Sequence, residues 1–468
     1  MLSKDNPNRA SHGCGLGIKR VQTSPRESYK ESEEKHDDES STPTPSDHLP
    51  DLDSSEVTYP GSDIAAPAAP TNPEELKHDK YRENRRGWRR IVVNFTPSWF
   101  TVTMGTGITS VLLHNLPYHG RWLFYVSCII FCLNIVLFTL FSCISIVRYT
   151  YFKGIWYSTL RHPAQAVFLG TIPVGFATII NMIVFVCVPA WGDWAANFAW
   201  ALWWIDVVMA TACSLYIPHC IMRTEGITLD QVNPSWLFPV IADIVASTSG
   251  AIVANVLPND QHAIWTVITS YILWGTSVPM AIVILAMYYS RLMIHDILPG
   301  QVAVASFIAI GPLGMGAAAI QLLGQVSLKL FARNDFIPKA PIAGQFFYLT
   351  GILTALILWG FAVVWLFFAL ATIIRRQVTF NLTWWAFTFP LGVFTVATTT
   401  LAQELPSKFF KVLGTIFSVA EFLLWVMVAC GTIKASLNGQ LFQPPPLEAW
   451  EKKAKEVEET EKTEDSPV

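Results

Sequence analysis

Three carboxylates, Asp206, Asp243 and Glu421, lie inside stretches of otherwise apolar residues. A carboxylate in that setting is costly to hold, so it marks by default an ion path or a proton relay. Asp243 is the sharpest of the three. It falls one turn after Pro239, where taking up and releasing a proton would couple solute movement to proton movement. A hydrogen bond to a neighbouring helix is an equal alternative for Asp243 and the expected role of Asp206 and Glu421. Phe389 directly precedes Pro390. A phenyl ring beside a kink, projecting into a narrow neutral path, would block ions by denying them hydration. Phe238 before Pro239, and Phe95 two residues before Pro97, offer weaker versions of the same arrangement.

These residues need a membrane-embedded frame, and the composition supplies one. The chain has 468 residues, of which 52% are hydrophobic and only 14% charged. Its apolar residues cluster in runs of about twenty, the length that crosses a bilayer. The runs predict an all-α polytopic membrane protein with spans at about 94–113, 121–147, 164–186, 197–218, 235–256, 263–289, 301–328, 344–371, 383–401 and 409–433. Ten crossings place both termini on one side. The transporter domain covers 88–433, between an N-terminal tail over 1–85 and a C-terminal tail over 434–468.

Every odd-numbered span carries a proline: Pro97, Pro173, Pro239, Pro312 and Pro390. Proline removes a backbone donor, and membrane helices tolerate it where neighbours or a water-lined cavity satisfy the freed carbonyl. Small and hydroxylic residues follow each one, among them Thr103 and Gly107, then Gly175, then Ser247, then Gly316, then Thr398. Singly, such residues mark close helix packing. Five repeats of one pattern read instead as helical hairpins around a central pore with quasi-five-fold symmetry. Thr103, Gly107, Pro173, Gly175, Asp243, Ser247, Pro312, Gly316, Pro390 and Thr398 are the expected lining, with Phe389 as gate. The even spans are bulky and apolar nearly all round, as an outer lipid-facing ring requires.

Arginines recur on one side of the chain. Arg82, Arg85, Arg86, Arg89 and Arg90 precede the first span, and alternate loops carry Arg148, Lys153, Arg161, Arg223, Arg291, Arg375 and Arg376. Cytoplasmic loops hold the excess of basic residues, so both termini are expected in the cytoplasm, although Lys329, Arg333, Lys339, Lys408 and Lys411 run against the trend. Arg161 and Arg375 would also concentrate anions at an inner mouth. No Lys or Arg lies deep within a span, which leaves a nearly neutral path from which an anion could leave again. The tail over 1–85, rich in Ser, Pro, Asp and Glu, is expected to be disordered. The 8 cysteines form no disulfide framework, and the 10 histidines lie in tails or near span ends, so neither metal nor cofactor is expected. Without a phosphate-binding glycine loop, ATP-driven pumping is not expected, and no convergent catalytic set indicates an enzyme.

Several segments match a known family in order. PSWFTVTMGTGITSVLLHNLPYHGRWL resembles the first hairpin of fungal sulfite efflux pumps, and QAVFLGTIPVGFATIINMI resembles their third span. WWAFTFPLGVFTVATT is similar to the ninth span of the wider tellurite-resistance and dicarboxylate transporter family. That family includes fungal malate permeases and plant slow anion channels. The resemblance implies five helical hairpins around a pore, commonly in a homotrimer, with Phe389 occluding the path. It further implies export of sulfite or bisulfite across the plasma membrane, giving sulfite resistance, with a C4-dicarboxylate (malate) permease or a passive anion channel as alternatives. The lipid bilayer is then the surrounding partner, proton coupling remains open through Asp243, and nucleic acid has no place.

Overall fold

The structure is a computed structural model that describes residues 88–438 and 441, apart from 119, 153, 224–227, 296–302, 334–336 and 375–379. The N-terminal tail over 1–85, the C-terminal segment beyond 441, and Arg82, Arg85, Arg86, Lys153, Arg375 and Arg376 lie outside the described residues. Every element among the described residues is helical. The principal helices are α1 (Phe100–His114), α2 (Arg121–Tyr151), α3 (Thr171–Met182), α4 (Asp193–Met222) and α5 (Phe238–Ala254). They continue as α6 (Asp260–Ile294), α7 (Ile310–Arg333), α8 (Ala343–Ile374), α9 (Trp385–Glu404) and α10 (Lys408–Leu437).

Among the described residues, nine helical stretches are long and apolar enough to cross a membrane. Helix α1 is the expected span that falls short. It has 15 residues, and its run of threonines and glycines lowers its hydropathy. Protein rather than lipid surrounds it, since every residue but His114 is buried.

The odd-numbered helices form a closed circuit. Helix α1 packs on α3, α3 on α5, α5 on α7, α7 on α9, and α9 back on α1. Each even-numbered helix lies in the groove between its own hairpin partner and the next inner helix round the circuit. Burial follows from that arrangement. The most apolar stretch of the 303–333 span is 100% buried and that of 234–254 is 94% buried, against 22% in α2 and in α10. The outer helices turn Trp122, Ile129, Val136, Phe346, Leu353 and Phe367 outward, as a lipid-facing surface demands.

All five inner helices begin in the same way, through a 3-10 segment: Pro97–Trp99, Val167–Gly170, Pro234–Leu237, Ala303–Ala309 and Leu382–Trp384. The prolines belong to these beginnings. Pro97, Pro173, Pro239 and Pro312 fall in the 3-10 segment or in the first turn of the α-helix, where backbone donors have no ordinary partner to lose. They guide helix starts rather than kink helix middles. Pro390 alone among the five lies deeper, inside α9. Side-chain caps secure two of the starts: Asn233 Oδ1 accepts from Ser235 N at 3.0 Å, and Asn381 Oδ1 accepts from Thr383 N at 2.9 Å.

Two of the loop-side arginines clamp these starts. Arg148, buried at the end of α2, donates from Nε to Val93 O at 3.1 Å, just ahead of α1. Arg291, buried at the end of α6, donates from Nε to Asp230 O at 3.3 Å, just ahead of α5. In these two hairpins the outer helix thus holds the segment that leads into its own inner helix.

Candidate functional site

Two cavities mark the ends of the inner ring. The first, about 420 Å³, collects walls from the beginnings of all five inner helices. Thr96, Pro97, Ser98 and Thr101 come from α1 and its lead-in, His162, Gln165 and Phe168 from that of α3, Phe238 from α5, Ile308 from that of α7, and Leu382, Thr383 and Ala386 from α9 and its lead-in. The second, about 330 Å³, is walled by residues at the far ends of the same helices, including Val111, Asn115, Ile252, Asn255, Leu322, Gln325, Val396 and Thr400, with Val184 and Phe185 beyond α3.

Each inner helix directs its N-terminal dipole end toward the first cavity. Five such ends favour an anion without any fixed cation. Burial pushes the His162 imidazole below its usual range, so it adds no charge at neutral pH. Arg161, beside it in sequence, lies against the Tyr157 ring at 4.1 Å and donates to the Tyr157 hydroxyl. The second cavity is amide-rich, with Asn115, Asn255, Gln325 and Gln403 on its walls. At its rim Lys329 Nζ donates to Asn255 Oδ1 at 3.1 Å, and Gln325 Nε2 donates to Glu404 Oε1 at 2.8 Å.

Helical periodicity returns to one face every three or four residues, which identifies what lies between the cavities. On α1 the run Thr101, Met104, Ile108, Val111, Asn115 starts at the first cavity and ends at the second. On α5 the corresponding run is Phe238, Ile241, Val245, Thr248, Ile252, and on α9 it is Ala386, Phe389, Val393, Val396, Thr400. Between the walls the ring therefore presents Met104, Ile108, Ile241, Val245, Phe389 and Val393, all buried. Phe389 is 1% exposed and follows Ala386 by one turn. Pro390 withholds the donor that the Ala386 carbonyl would otherwise receive, so the backbone is loosened at the cavity wall beside the ring.

The residues expected to line the path sit elsewhere. None of them forms a wall of either cavity. A Cβ on Gly107 would overlap Thr178 Oγ1, and one on Gly175 would overlap Thr103 Oγ1, so Thr103, Gly107 and Gly175 belong to the α1–α3 contact. Ser247 donates to Ser270 O at 2.7 Å on α6. Thr398 accepts from Trp359 Nε1 at 2.9 Å on α8. Gly316 faces Val278, Leu358 and Trp274 on the outer helices. Pro173 and Pro312 are buried in first turns, and Pro390 packs about 4.0 Å from the Cβ position of Gly311. Asp243 also turns outward: Thr211 donates to Oδ1 at 3.3 Å and Ser277 to Oδ2 at 3.2 Å, from α4 and α6. The pattern of small residues located the inner ring correctly, but those residues serve its helix contacts. Of the other aromatic candidates, Phe238 lines the first cavity, whereas Phe95 stacks on Trp99 at 5.4 Å. The apolar strip and the amide-rich cavity were missed, although the three-and-four spacing from Thr101 to Asn115 was visible in the sequence.

Residues 94–433 match the voltage-dependent anion channel family. A sulfite efflux pump of Arthroderma benhamiae is 47% identical over 352 residues, covering 75% of this chain and 93% of that protein. A sulfite efflux pump of Trichophyton rubrum shows the same identity over the same length, again covering 75% and 93%. A malic acid transport protein of Schizosaccharomyces pombe is 21% identical over 358 residues, covering 75% and 80%.

Proposed function

The chain belongs to the voltage-dependent anion channel family, and from that membership we propose that it exports sulfite across the plasma membrane through the axis of the inner ring. The observation that carries the reading is the pair of cavities at the two ends of a closed ring, separated by a buried apolar strip that includes Phe389. The first cavity faces the cytoplasm, as do both termini, and it gathers anions through five helix dipoles. The strip closes the path by offering an anion nothing to replace its water. Phe389 is the gate, since its ring is the largest side chain of the strip and stands beside the proline that loosens α9. Rotation of the ring toward Ala386 opens the path.

Ten crossings arranged as five hairpins, quasi-five-fold symmetry and assembly as a homotrimer complete the proposal. Transport runs down the anion's own electrochemical gradient, because Asp243 is held by hydroxyls of outer helices and stands off the axis. The relatives named as sulfite efflux pumps support sulfite over malate. Purified protein in liposomes, assayed for sulfite and malate efflux in parallel, tests the choice. Sulfite efflux without malate efflux supports it, and malate efflux without sulfite efflux assigns the same ring to a dicarboxylate permease.

A further inference from the structure

Three buried polar side chains lie just beneath the second cavity, and the constriction does not account for them. Asn181 on α3 is 4% exposed and its Oδ1 has no hydrogen-bond partner; Ser249 on α5 is 0% exposed and its Oγ has none. Gln321 on α7 is equally buried, and its Nε2 donates to Ala317 O at 2.9 Å while Oε1 stays unpaired. An unmade hydrogen bond on a buried group is costly, so three at one level call for a ligand.

The helix registers bring the three to one tier. A Cβ on Gly170 would stand 2.6 Å from Phe238 O, and Asn181 and Ser249 each lie eleven residues beyond that crossing. A Cβ on Gly311 would stand 3.4 Å from Ile241 Cδ1; Ser249 lies eight residues beyond that crossing and Gln321 ten, a difference of about 3 Å of helix rise. Each also stands one turn below a wall of the second cavity: Asn181 below Phe185, Ser249 below Ile252, Gln321 below Gln325. They therefore occupy the far end of the apolar strip, where an anion that has passed Phe389 would first meet polar groups.

We propose that Asn181, Ser249 and Gln321 form a binding site for a singly charged, singly protonated oxyanion, which under the proposed function is hydrogen sulfite. The site carries no charge, so it suits one negative charge better than two. The Ser249 hydroxyl donates to one bare oxygen of the anion, and the Asn181 amide, turned so that Nδ2 takes the place of the unpaired Oδ1, donates to another. Gln321 Oε1, fixed as an acceptor by the bond from Nε2 to Ala317, receives the anion's remaining proton. Doubly charged sulfite lacks that proton and would leave Gln321 unpaired. No covalent step is involved.

The proposal rests on the sulfite reading, and one experiment separates the two. Sulfite efflux from liposomes is measured at fixed total sulfite from mildly acid to mildly alkaline pH for wild type, Asn181→Leu and Ser249→Ala. The melting temperature of each protein is recorded with and without sulfite. Wild-type efflux should fall as pH rises through the second ionisation of sulfite. Each variant should lose about tenfold or more of the efflux at acid pH, the effect of one missing hydrogen bond to an anion, together with the melting shift produced by sulfite. If Asn181→Leu does not fold, Ser249→Ala carries the test. Robust wild-type efflux that ignores pH, or folded variants that keep efflux and melting shift within about twofold, would overturn the site and leave the sulfite reading intact. Absence of wild-type sulfite efflux would overturn both.

Discussion

Replacing Phe389 by alanine should open the path. Ala386 is a wall of the first cavity and Val396 of the second, so ten residues of α9, about 15 Å, connect them. Phe389 and Val393 occupy the two intervening turns. Removing the phenyl ring lengthens the first cavity by one turn and leaves Val393, Ile108 and Val245 as the remaining apolar collar. Shortening the dehydrated stretch by about half should lower the barrier by roughly 1.4–2.8 kcal/mol, which is about ten- to a hundredfold in flux. The same truncation empties a fully buried site and should cost roughly 3 kcal/mol of stability, so melting must be measured alongside. Sulfite efflux from liposomes containing wild type, Phe389→Leu and Phe389→Ala should rise in that order. A folded Phe389→Ala protein with wild-type efflux would refute the gate.

Other substitutions separate packing from path. Gly107→Ala should lower the melting temperature, because the new methyl overlaps both Oγ1 and Cβ of Thr178, at a cost of about 1–3 kcal/mol; adding Thr178→Ala should not restore it, since the Cβ stays 2.5 Å away. Asp243→Asn should leave sulfite efflux and its pH profile within about twofold of wild type, since the carboxylate faces Thr211 and Ser277 rather than either cavity. A pH profile flattened in that variant alone would restore Asp243 as a proton carrier. Arg148→Met should cost about 2–3 kcal/mol by freeing the Val93 carbonyl, seen in thermal melts, with no change in anion selectivity.

The alternation of inner and outer helices was legible because it depends on composition. Helices surrounded by protein accept small residues and polar hydroxyls, as in α1, whereas helices facing lipid must be bulky and apolar, as in α8. Which side of an inner helix meets the path was not legible. Gly107 and Ile108 are adjacent in sequence, yet one backs onto Thr178 on α3 and the other onto Gly392 on α9. A rotation of about 100° separates them, and neighbouring helices rather than local sequence fix that rotation. Asp243 was misplaced for the same reason. Its position after Pro239 is in the sequence, but Thr211 and Ser277 come from helices whose packing only the fold reveals. For Phe389 the sequence was more informative, because aromatic bulk beside a proline marks position along the helix, and three-residue spacing puts it on the same face as Ala386.

The most direct measurement of the path uses single cysteines and a charged thiol reagent during sulfite efflux, with the effect on the parent chain subtracted. Ala386→Cys stands on the first cavity wall, Thr400→Cys on the second, and Thr398→Cys beside Trp359 at the outer helices. Modification should block efflux at Ala386→Cys and Thr400→Cys and leave Thr398→Cys unaffected. Block at Thr398→Cys with free efflux through modified Ala386→Cys and Thr400→Cys would contradict a path along the axis of the ring.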